Sequence, residues 1–491
     1  MNSNKVFVIC ARGGLIGLLI FSVRWIGFPN RWLKNRQGIF LCITSLIICL
    51  LFDSCKKDSD YMEPPPISGI SADAALQWAD MTLYTFRYSR FNTPTYSSRS
   101  LGYLGLAMYE SIVPGDPDHR SMNGQLNGLS LPSYELGKPY QWILSLNSAQ
   151  DTLLKLFYPV PDNSSSIVHH RIDSLADAIY AEQSRGIDPE TVNRSVAFGI
   201  SVALSIYDWS RTDGGDKGFT RYFDPGFVFP AGNSYWIPPR WGQSPSKLPL
   251  HPHWGQNRTF VTANSMLPVP AIVPFSTDTA SDYYKLYKAV YDKDHVITLE
   301  ERETAAWWGD DPTETFSPPG HSYYLASVAT RVSNVGIIKA AEAYARSGIA
   351  VADAFINCWK AKYTYFNERP SSFVNKYIDD TWIQFWPEPP FPAFPSGHSI
   401  QAAAAATVLT DLFGEPFSFT DRCHEGFHRE DNPRFRDLTY HARTFSSIWE
   451  AGYECAYSRL LGGIHTQQDN EVGLQEGKKI GQNINALQWR R

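Results

Sequence analysis

The sequence has few charged residues and few cysteines for its length. Of its 491 residues, 19% are charged and seven are cysteines, whereas 43% are hydrophobic and 14% are aromatic. This combination excludes a disordered chain and collagen-like repeats. Acidic residues outnumber basic ones by 49 to 44, which excludes a nucleic-acid-binding protein that relies on overall positive charge. A phosphate-like ligand would therefore need a local group of basic residues.

Disulfide bonds and long apolar runs are not expected in the body of the chain. Only three cysteines follow residue 55, and they are widely spaced: Cys358, Cys423 and Cys455. Such a set is not a disulfide framework, so the fold must depend on its hydrophobic core. No run of 18 or more apolar residues follows residue 55, which excludes an integral membrane body.

The first 54 residues differ in charge from the rest. They hold six basic residues and one acid, a net charge of +5 in a chain of net charge −5, so the remainder carries −10. Residues 39–52 (IFLCITSLIICLLF) are apolar or nearly so. As a helix they would extend about 21 Å, short of the roughly 30 Å of a bilayer core. The stretch therefore predicts the core of a signal peptide, with the basic segment RWLKNR just upstream.

The end of this leader, residues 1–55, resembles a bacterial lipoprotein signal, although Asp53 departs from the usual pattern. The resemblance implies that Cys55 is lipidated, and that the protein is exported and anchored to a bacterial membrane on its periplasmic or cell-surface side. A second apolar block at residues 13–23 leaves two alternatives, a dispensable N-terminal extension and a two-helix membrane hairpin. Residues 56–70 are polar and then Pro-rich, and predict a linker.

Helical periodicity dominates the body. Apolar residues recur at steps of three and four in segments 74–88, 98–111, 167–184, 189–211, 298–308, 322–345, 348–366, 399–413 and 440–461. Strand-like alternation is rare, so we predict an all-α fold, a large helical bundle with long Pro- and Gly-rich loops. Residues 213–274 are rich in Pro, Gly and Trp and predict an ordered excursion over the helices. We place a boundary near residue 295, between an N-terminal helical region (71–295) and a catalytic core (296–491).

The first of three motifs that carry chemistry is KYTYFNERP, residues 362–370. Lys362 and Arg369 are seven residues apart, close to two helical turns, so we expect both cations on one helix face, with Trp359 one turn earlier. Two such cations repel each other unless an anion or an acid lies between them. Taken alone, the motif is more typical of a solvated basic edge.

The second motif is PSGH, residues 395–398, followed by the Ala-rich run SIQAAAAATVL. The run predicts a helix whose N-terminal amides can receive an anion, and Gly397 lets the backbone approach a ligand closely. His398 at this helix start is a candidate acid or base. A Ser/His hydrolase would instead need a strand-to-helix elbow such as GxSxG, and no strand pattern precedes the site.

The third motif contains Arg459, two glycines, His465 and, four residues later, Asp469. We expect Arg459 at the end of a helix that Gly462 and Gly463 break. The Asp469 carboxylate can bind one imidazole nitrogen of His465, which fixes the tautomer and leaves the other nitrogen free to attack or to ligate a metal.

The three motifs together and in this order resemble the signature of the type 2 phosphatidic acid phosphatase and vanadium-dependent haloperoxidase superfamily: K-x6-RP, PSGH and SR-x5-H-x3-D. The resemblance implies a helical bundle of that type. It also implies that a tetrahedral oxyanion is bound by Lys362, Arg369, Ser396, Gly397 and Arg459. His398 would then be the acid/base, and His465 the residue that bonds to the oxyanion.

The two branches of the superfamily use this site differently. In a phosphatase, His465 would attack the phosphorus of a phosphate ester while His398 protonates the leaving group, and no cofactor is needed. In a haloperoxidase, His465 would be the single protein ligand of vanadate, and the vanadium would act as a Lewis acid. Hydrogen peroxide then oxidises a halide, and an organic acceptor is halogenated.

Local sequence favours the haloperoxidase branch. The lipid phosphatases of the superfamily span membranes several times, which this body does not. The segment PPFPAFPSGH resembles fungal chloroperoxidase and implies that Phe391 lines the halide side, and Trp359 also matches a haloperoxidase position. Residues 305–324 resemble the segment before the core in the same enzymes, and imply that Asp310 pairs with Arg459.

Two further features have alternative interpretations. His424 and His428 could bind a metal if helical, but the surrounding charges and Gly426 favour a solvated loop. The 15 tryptophans could instead indicate a non-enzymatic surface lipoprotein that binds glycans. That alternative gives no reason for a complete anion-binding motif set.

Overall fold

Helices form almost all of the regular structure in the computed structural model, which describes residues 61–311, 315–429 and 433–491. The first half contains α1 (Asp73–Tyr88), α2 (Pro94–Glu110), α3 (Trp142–Phe157), α4 (Ser166–Gln183), α5 (Pro189–Ser210), the short α6 (Thr262–Ser265) and α7 (Asp282–His295). The second half contains α8 (Leu299–Trp307), α9 (Pro318–Ser333), α10 (Ile337–Tyr365), α11 (Pro370–Tyr377), α12 (Gly397–Phe413), α13 (Ile448–Leu461) and α14 (Gln467–Asn485). Strands β1 (Phe419–Asp421) and β2 (Arg443–Phe445) pair antiparallel. The predicted all-α fold is confirmed.

The predicted leader, with the proposed lipidation site Cys55, lies outside the described residues, as do residues 56–60 of the predicted linker. Among the residues that are described, no helix is long and apolar enough to cross a membrane. Tyr61–Arg491 form one compact unit. The boundary near residue 295 stays a prediction.

Helices begin where the sequence supplies a capping side chain. The Thr93 hydroxyl accepts a hydrogen bond from the Tyr96 amide at the start of α2, and Pro94 occupies the first helical position. Thr466 and Asp469 form a reciprocal capping box at the start of α14. The second cap fixes Asp469 beside His465, so a local helix signal also builds part of the site.

Helix α10 crosses α2 at two glycines. A Cβ atom added at Gly105 would lie 2.3 Å from the Tyr344 carbonyl oxygen, and one added at Gly348 would lie 2.2 Å from the Leu101 carbonyl oxygen. Glycine at both positions therefore lets the two backbones touch. The sequence predicts separate helical segments at 322–345 and 348–366. This separation is wrong, because Gly348 makes the contact with α2 and α10 runs through it without a break. The break lies earlier, at Asn334, whose φ is +47°.

Helix α14 packs closely against α12 through a row of small residues. Gly473, Gly477 and Gly481 recur every four residues and face α12, which carries alanines at 402–406. A Cβ atom at Gly477 would lie 2.1 Å from the Ile400 carbonyl oxygen. This close approach holds the start of α12 beside the start of α14, where the second and third motifs lie.

Residues 213–274 are an ordered excursion, as the sequence predicts. The Leu250 amide donates to the Pro390 carbonyl at 2.7 Å, and the Gln243 amide donates to the Glu388 carbonyl at 2.9 Å. The excursion is thereby attached to the Pro-rich segment that precedes PSGH. It forms one wall of the cavity described next.

Candidate active site

A cavity of about 600 Å³ lies over the starts of α12 and α14. Gly397, His398 and His465 line its inner end. Its walls are mainly aromatic and proline side chains, including Phe91, Tyr222, Trp241, Trp359 and Phe391. An inner polar end under apolar walls is typical of a small-molecule site.

Lys362 lies in the last turn of α10 and is completely buried. Its ammonium group donates to three backbone carbonyls, those of Pro392 at 2.8 Å, Ala393 at 2.6 Å and Pro395 at 2.7 Å. Burial lowers the pKa of Lys362 from its usual range, while the three acceptors favour its charged form. The lysine thus fixes the loop that leads into PSGH.

Arg369 reaches the site from a separate element and not from the face of α10. The helix ends at Tyr365, Phe366 adopts a left-handed conformation with φ of +49°, and Arg369 is the N-cap of α11. The expected single helical stripe of Lys362 and Arg369 is therefore wrong, although both cations converge. Arg369 Nη1 lies 2.9 Å from the Ile464 carbonyl oxygen and 3.0 Å from His465 Nε2.

The PSGH motif begins α12, as predicted. The Ser396 hydroxyl accepts a hydrogen bond from the Ser399 amide and caps the helix. A Cβ atom added at Gly397 would meet no atom closer than 3.8 Å, so the space in front of this glycine is open. His398 lines the cavity, and its Nε2 atom has no hydrogen-bond partner in the described part of the chain. Burial and the nearby Arg459 lower the pKa of His398 well below its usual range.

Arg459 and His465 complete the site from the end of α13 and the turn after it. Arg459 Nη1 donates to the Trp308 carbonyl at 3.1 Å, and its buried Nε has no partner among the described residues. His465 Nδ1 lies 3.1 Å from Asp469 Oδ2, which fixes the tautomer that leaves Nε2 as an acceptor. Burial and three cations lower the pKa of His465 well below its usual range: Arg369, Lys362 and Arg459.

Asp310 does not form the expected ion pair with Arg459. Its carboxylate instead bonds two histidines, His321 Nδ1 and His424 Nε2, each at 2.8 Å. Those charge-assisted contacts hold the pKa of Asp310 well below its usual range against the effect of burial. Asp310 also has a left-handed backbone, with φ of +48°.

The sequence did not predict the contacts of Asp310 with His321 and His424. His424 is 6% exposed, so the expected solvated loop is wrong for it, whereas His428 is exposed as expected. His321 was not recognised as a functional residue, although the Pro-Pro-Gly-His run at the start of α9 gave a signal. Its partners are distant in sequence, and no local pattern joins them.

Trp359 and Phe391 are neighbours on the cavity wall. Their ring centroids are 4.9 Å apart, and the Trp359 indole donates to the Leu250 carbonyl at 3.2 Å. The Lys362 ammonium and the Arg369 guanidinium carbon each lie 5.2 Å from the centroid of the Phe391 ring. The pair therefore covers the cationic end of the cavity with apolar surface.

The residues brought together fit a tetrahedral oxyanion. Arg369 Nη1 lies 3.0 Å from His465 Nε2, and the charges of Lys362 and Arg459 also act on this imidazole. His398 Nε2 and Arg459 Nε have no partners among the described residues. The open space before Gly397 belongs to the cavity that His398 and His465 line, at the N-terminus of α12, where backbone amides favour a negative charge. Vanadate or phosphate would accept a hydrogen bond from Arg459 Nε, place a protonated oxygen beside His398 Nε2 and neutralise the cations.

Comparison with known proteins identifies similar folds. The structure described as that of the first bacterial vanadium-dependent iodoperoxidase is 31% identical with a TM-score of 0.71, over 87% of this chain and 99% of that one. A bacterial vanadium-dependent chloroperoxidase in its apo form is 14% identical with a TM-score of 0.59, over 80% of this chain and 92% of that one. The family model for the VCPO second helical-bundle domain matches residues 374–489. No curated protein sequence matches.

Proposed function

Because this chain belongs to the vanadium-dependent haloperoxidases, a family of enzymes, we propose that it oxidises halide with hydrogen peroxide at a vanadate ligated by His465 Nε2. The oxyanion would be held by Arg369, Ser396, Gly397 and Arg459, and by the positive charge of Lys362, whose three N–H groups already donate to backbone carbonyls. The observation that carries this proposal is the placement of His465 at the cavity, with Nδ1 3.1 Å from Asp469 Oδ2 and Nε2 3.0 Å from the Arg369 guanidinium. A neutral imidazole nitrogen is the form that ligates a metal.

The charge of the site supports vanadate as the cofactor. Arg369 and Arg459 are nine-tenths buried or more, and in the described residues neither forms an ion pair with an acid. Burying a guanidinium group without a carboxylate partner costs folding free energy unless another anion binds beside it. Vanadate would supply that anion and, when bound, Lewis-acid activation of peroxide.

His398 would act as the proton carrier. Its lowered pKa keeps the imidazole neutral, and its unpartnered Nε2 lines the cavity. A neutral imidazole can take a proton from hydrogen peroxide as it binds and return a proton to the oxygen that leaves. Asp469 would act indirectly, by holding the tautomer of His465.

Iodide is the halide that we propose first. The relative at 31% identity is described as an iodoperoxidase. Iodide is also the most easily oxidised and most polarisable of the common halides, and the aromatic pair of Trp359 and Phe391 offers it an apolar approach. The organic acceptor would enter through the same cavity.

Export and lipid anchoring at Cys55 form a separate proposal, supported by the basic and apolar pattern of the leader. Mass spectrometry of the native N-terminus tests it. A lipidated peptide that starts at Cys55 is expected, and an intact peptide that starts at Met1 would contradict it.

The enzymatic proposal is tested with cofactor-free protein to which orthovanadate is added. Iodide oxidation by peroxide should rise with vanadate and saturate, and H465A should show none. Vanadate-inhibited hydrolysis of an aryl phosphate without halide oxidation would overturn the proposal in favour of a phosphatase. Activity that survives in H465A would overturn the assignment of the site.

A further inference from the structure

A second group of metal-binding residue types lies behind the cavity, on the far side of Asp310. His321, Cys423 and His424 each offer one ligand atom, and these atoms lie within 4.8 Å of one another. His321 Nε2 and Cys423 Sγ are 3.2 Å apart. We propose that these three residues bind a divalent transition-metal ion of the zinc class, at a site distinct from that of vanadate.

The chemistry of the three side chains fits such an ion. Imidazole and thiolate are the ligands that zinc prefers, and Cys₂His₂-type and related sets form closed structural sites. Ligand atoms around a tetrahedral zinc lie about 3.3 to 3.8 Å apart, given metal–ligand bonds of about 2.0 to 2.3 Å. The 3.2 Å separation of His321 Nε2 and Cys423 Sγ therefore needs to open by only a few tenths of an ångström.

Asp310 orients both histidines as a metal site requires. His321 uses Nδ1 and His424 uses Nε2 to contact the two carboxylate oxygens, each at 2.8 Å. Histidines that ligate a metal commonly donate their other ring N–H to a carboxylate, which fixes the ring and its tautomer. The second nitrogen of each ring would be the ligand: Nδ1 of His424, and Nε2 of His321, which lies beside Cys423 Sγ and would exchange the proton it shares with Asp421 for the metal.

Asp421 supplies negative charge beside the three residues. Its Oδ2 lies 2.8 Å from His321 Nε2 and also accepts a hydrogen bond from the Trp307 indole at 3.1 Å. Asp310 and Asp421 are both at least nine-tenths buried, so two carboxylates share one imidazole of His321 within the core. A dication would compensate both of them, which a single imidazolium does not.

The site would connect the start of α9 to the loop after β1, two segments about 100 residues apart. Asp310, held by these histidines, follows directly after Trp308 and Gly309, and the Trp308 carbonyl receives Arg459 at 3.1 Å. The metal would therefore be structural, and would fix the turn that positions one arginine of the oxyanion site.

The experiment uses the full purified chain without vanadate, so its outcome does not depend on the proposed haloperoxidase function. Elemental analysis after incubation with zinc and desalting should find one zinc per chain. Cobalt in its place should give visible d–d bands and a near-ultraviolet thiolate-to-cobalt charge-transfer band. C423S should lose the charge-transfer band, and H424A should bind cobalt at least tenfold more weakly.

H428A is the matched control, because His428 is an exposed histidine in the same loop, four residues after His424. It should bind cobalt like the unmodified chain. Absence of stoichiometric zinc and cobalt would overturn the proposal, and would leave a buried imidazolium between Asp310 and Asp421. Equal cobalt binding by H424A and H428A would also overturn it. Should H424A fail to fold, the cobalt spectrum of C423S alone decides, since an unchanged charge-transfer band excludes Cys423 as a ligand.

Discussion

Arg369 Nη1 donates to His465 Nε2 across 3.0 Å. The acceptor nitrogen is the one that the proposed cofactor would use, and its availability depends on the bond from His465 Nδ1 to Asp469. The guanidinium holds the imidazole in place and must give up this hydrogen bond when Nε2 bonds to an oxyanion, because the nitrogen has a single lone pair. The affinity of the site for an oxyanion should therefore depend on Asp469, although that residue would not contact the oxyanion.

Replacing Asp469 by Asn should weaken vanadate binding by about 10- to 100-fold, because the amide no longer fixes the Nδ1–H tautomer. Titration of the cofactor-free protein with vanadate measures the effect. E471Q, which makes the same acid-to-amide change at an exposed position of α14, is the control and should bind vanadate normally. Equal affinity in the two variants would contradict the role of Asp469.

Gly397→Ala should abolish vanadate binding without loss of stability. The new methyl group would enter the open space before α12, where the nearest atom is 3.8 Å away. A helical Gly-to-Ala change adds about 0.5 to 1 kcal/mol of stability where nothing clashes. G452A is the matched control, since its methyl group would also find no atom closer than 3.7 Å, on α13 away from the cavity lining.

Both glycine variants should therefore unfold at or above the denaturant concentration of the unmodified chain, and only G397A should fail to bind vanadate. Normal vanadate affinity in G397A would show that the oxyanion does not occupy this space. Loss of binding in G452A as well would point to an indirect effect of helix substitution.

Lys362→Met should destabilise the protein even with no oxyanion present. The change would leave three buried carbonyls without their donor, and each unpaired group costs about 1 to 3 kcal/mol. We expect a loss of about 3 kcal/mol or more in the free energy of unfolding, measured with denaturant. K360M should lose less than about 1 kcal/mol, because Lys360 is only partly buried and makes one long contact of 3.4 Å.

The opposite result for K362M is equally informative. A lysine that served only to bind an oxyanion would repel Arg369 in the cofactor-free protein, and its removal would stabilise the fold. Stabilisation of K362M would thus contradict the anchoring of the loop before PSGH by this side chain.

The free energy of unfolding should fall as pH rises from about 4 to about 7, in part because of Asp353. Burial raises the pKa of this carboxyl from 3.8 to about 7, although it accepts hydrogen bonds from the Phe260 and Val261 amides and from Asn264. The folded chain therefore holds a proton on Asp353 that the unfolded chain releases, and this contribution to stability is lost as pH rises through the folded-state value. One such group gives a slope of at most about 1.4 kcal/mol per pH unit.

D353N removes this titration, so its unfolding free energy should depend less steeply on pH over the same range. The difference in unfolding free energy between the unmodified chain and D353N should become smaller as pH rises. Denaturant unfolding at several pH values measures both slopes. Parallel slopes would show that Asp353 is ionised throughout.

The fold class and the site motifs were predictable because their signals are local. The Ala-rich run after PSGH predicts α12, and the spacing of His465 and Asp469 predicts their contact, which the structure contains at 3.1 Å. Helix bounds failed where tertiary contacts decide them. Gly348 looked like an interruption, yet it lies within α10 against the Leu101 backbone, and residues 440–447 are not helical because β2 pairs with β1.

The surroundings of Asp310 were beyond sequence reasoning for a different reason. Asp310 meets His424 across more than 100 residues, and neither position has a periodic or motif signal for the other. Likewise, α7 is rich in polar residues and tyrosine, so its mean hydropathy is low, although Tyr283 and Tyr287 are buried against Phe373. Such pairs become visible only when distant segments are placed together.

The cavity wall begins at Phe91 and its inner end closes at His465, so the site draws on nearly the whole length of the body. Pairing of such distant segments is entropically costly and occurs late as a chain folds. An oxyanion that binds only the finished arrangement would also slow or oppose its opening by mass action. The anion would then protect the mature enzyme against unfolding. Nascent chains, in which the oxyanion site is not yet assembled, could neither bind the anion nor generate oxidant.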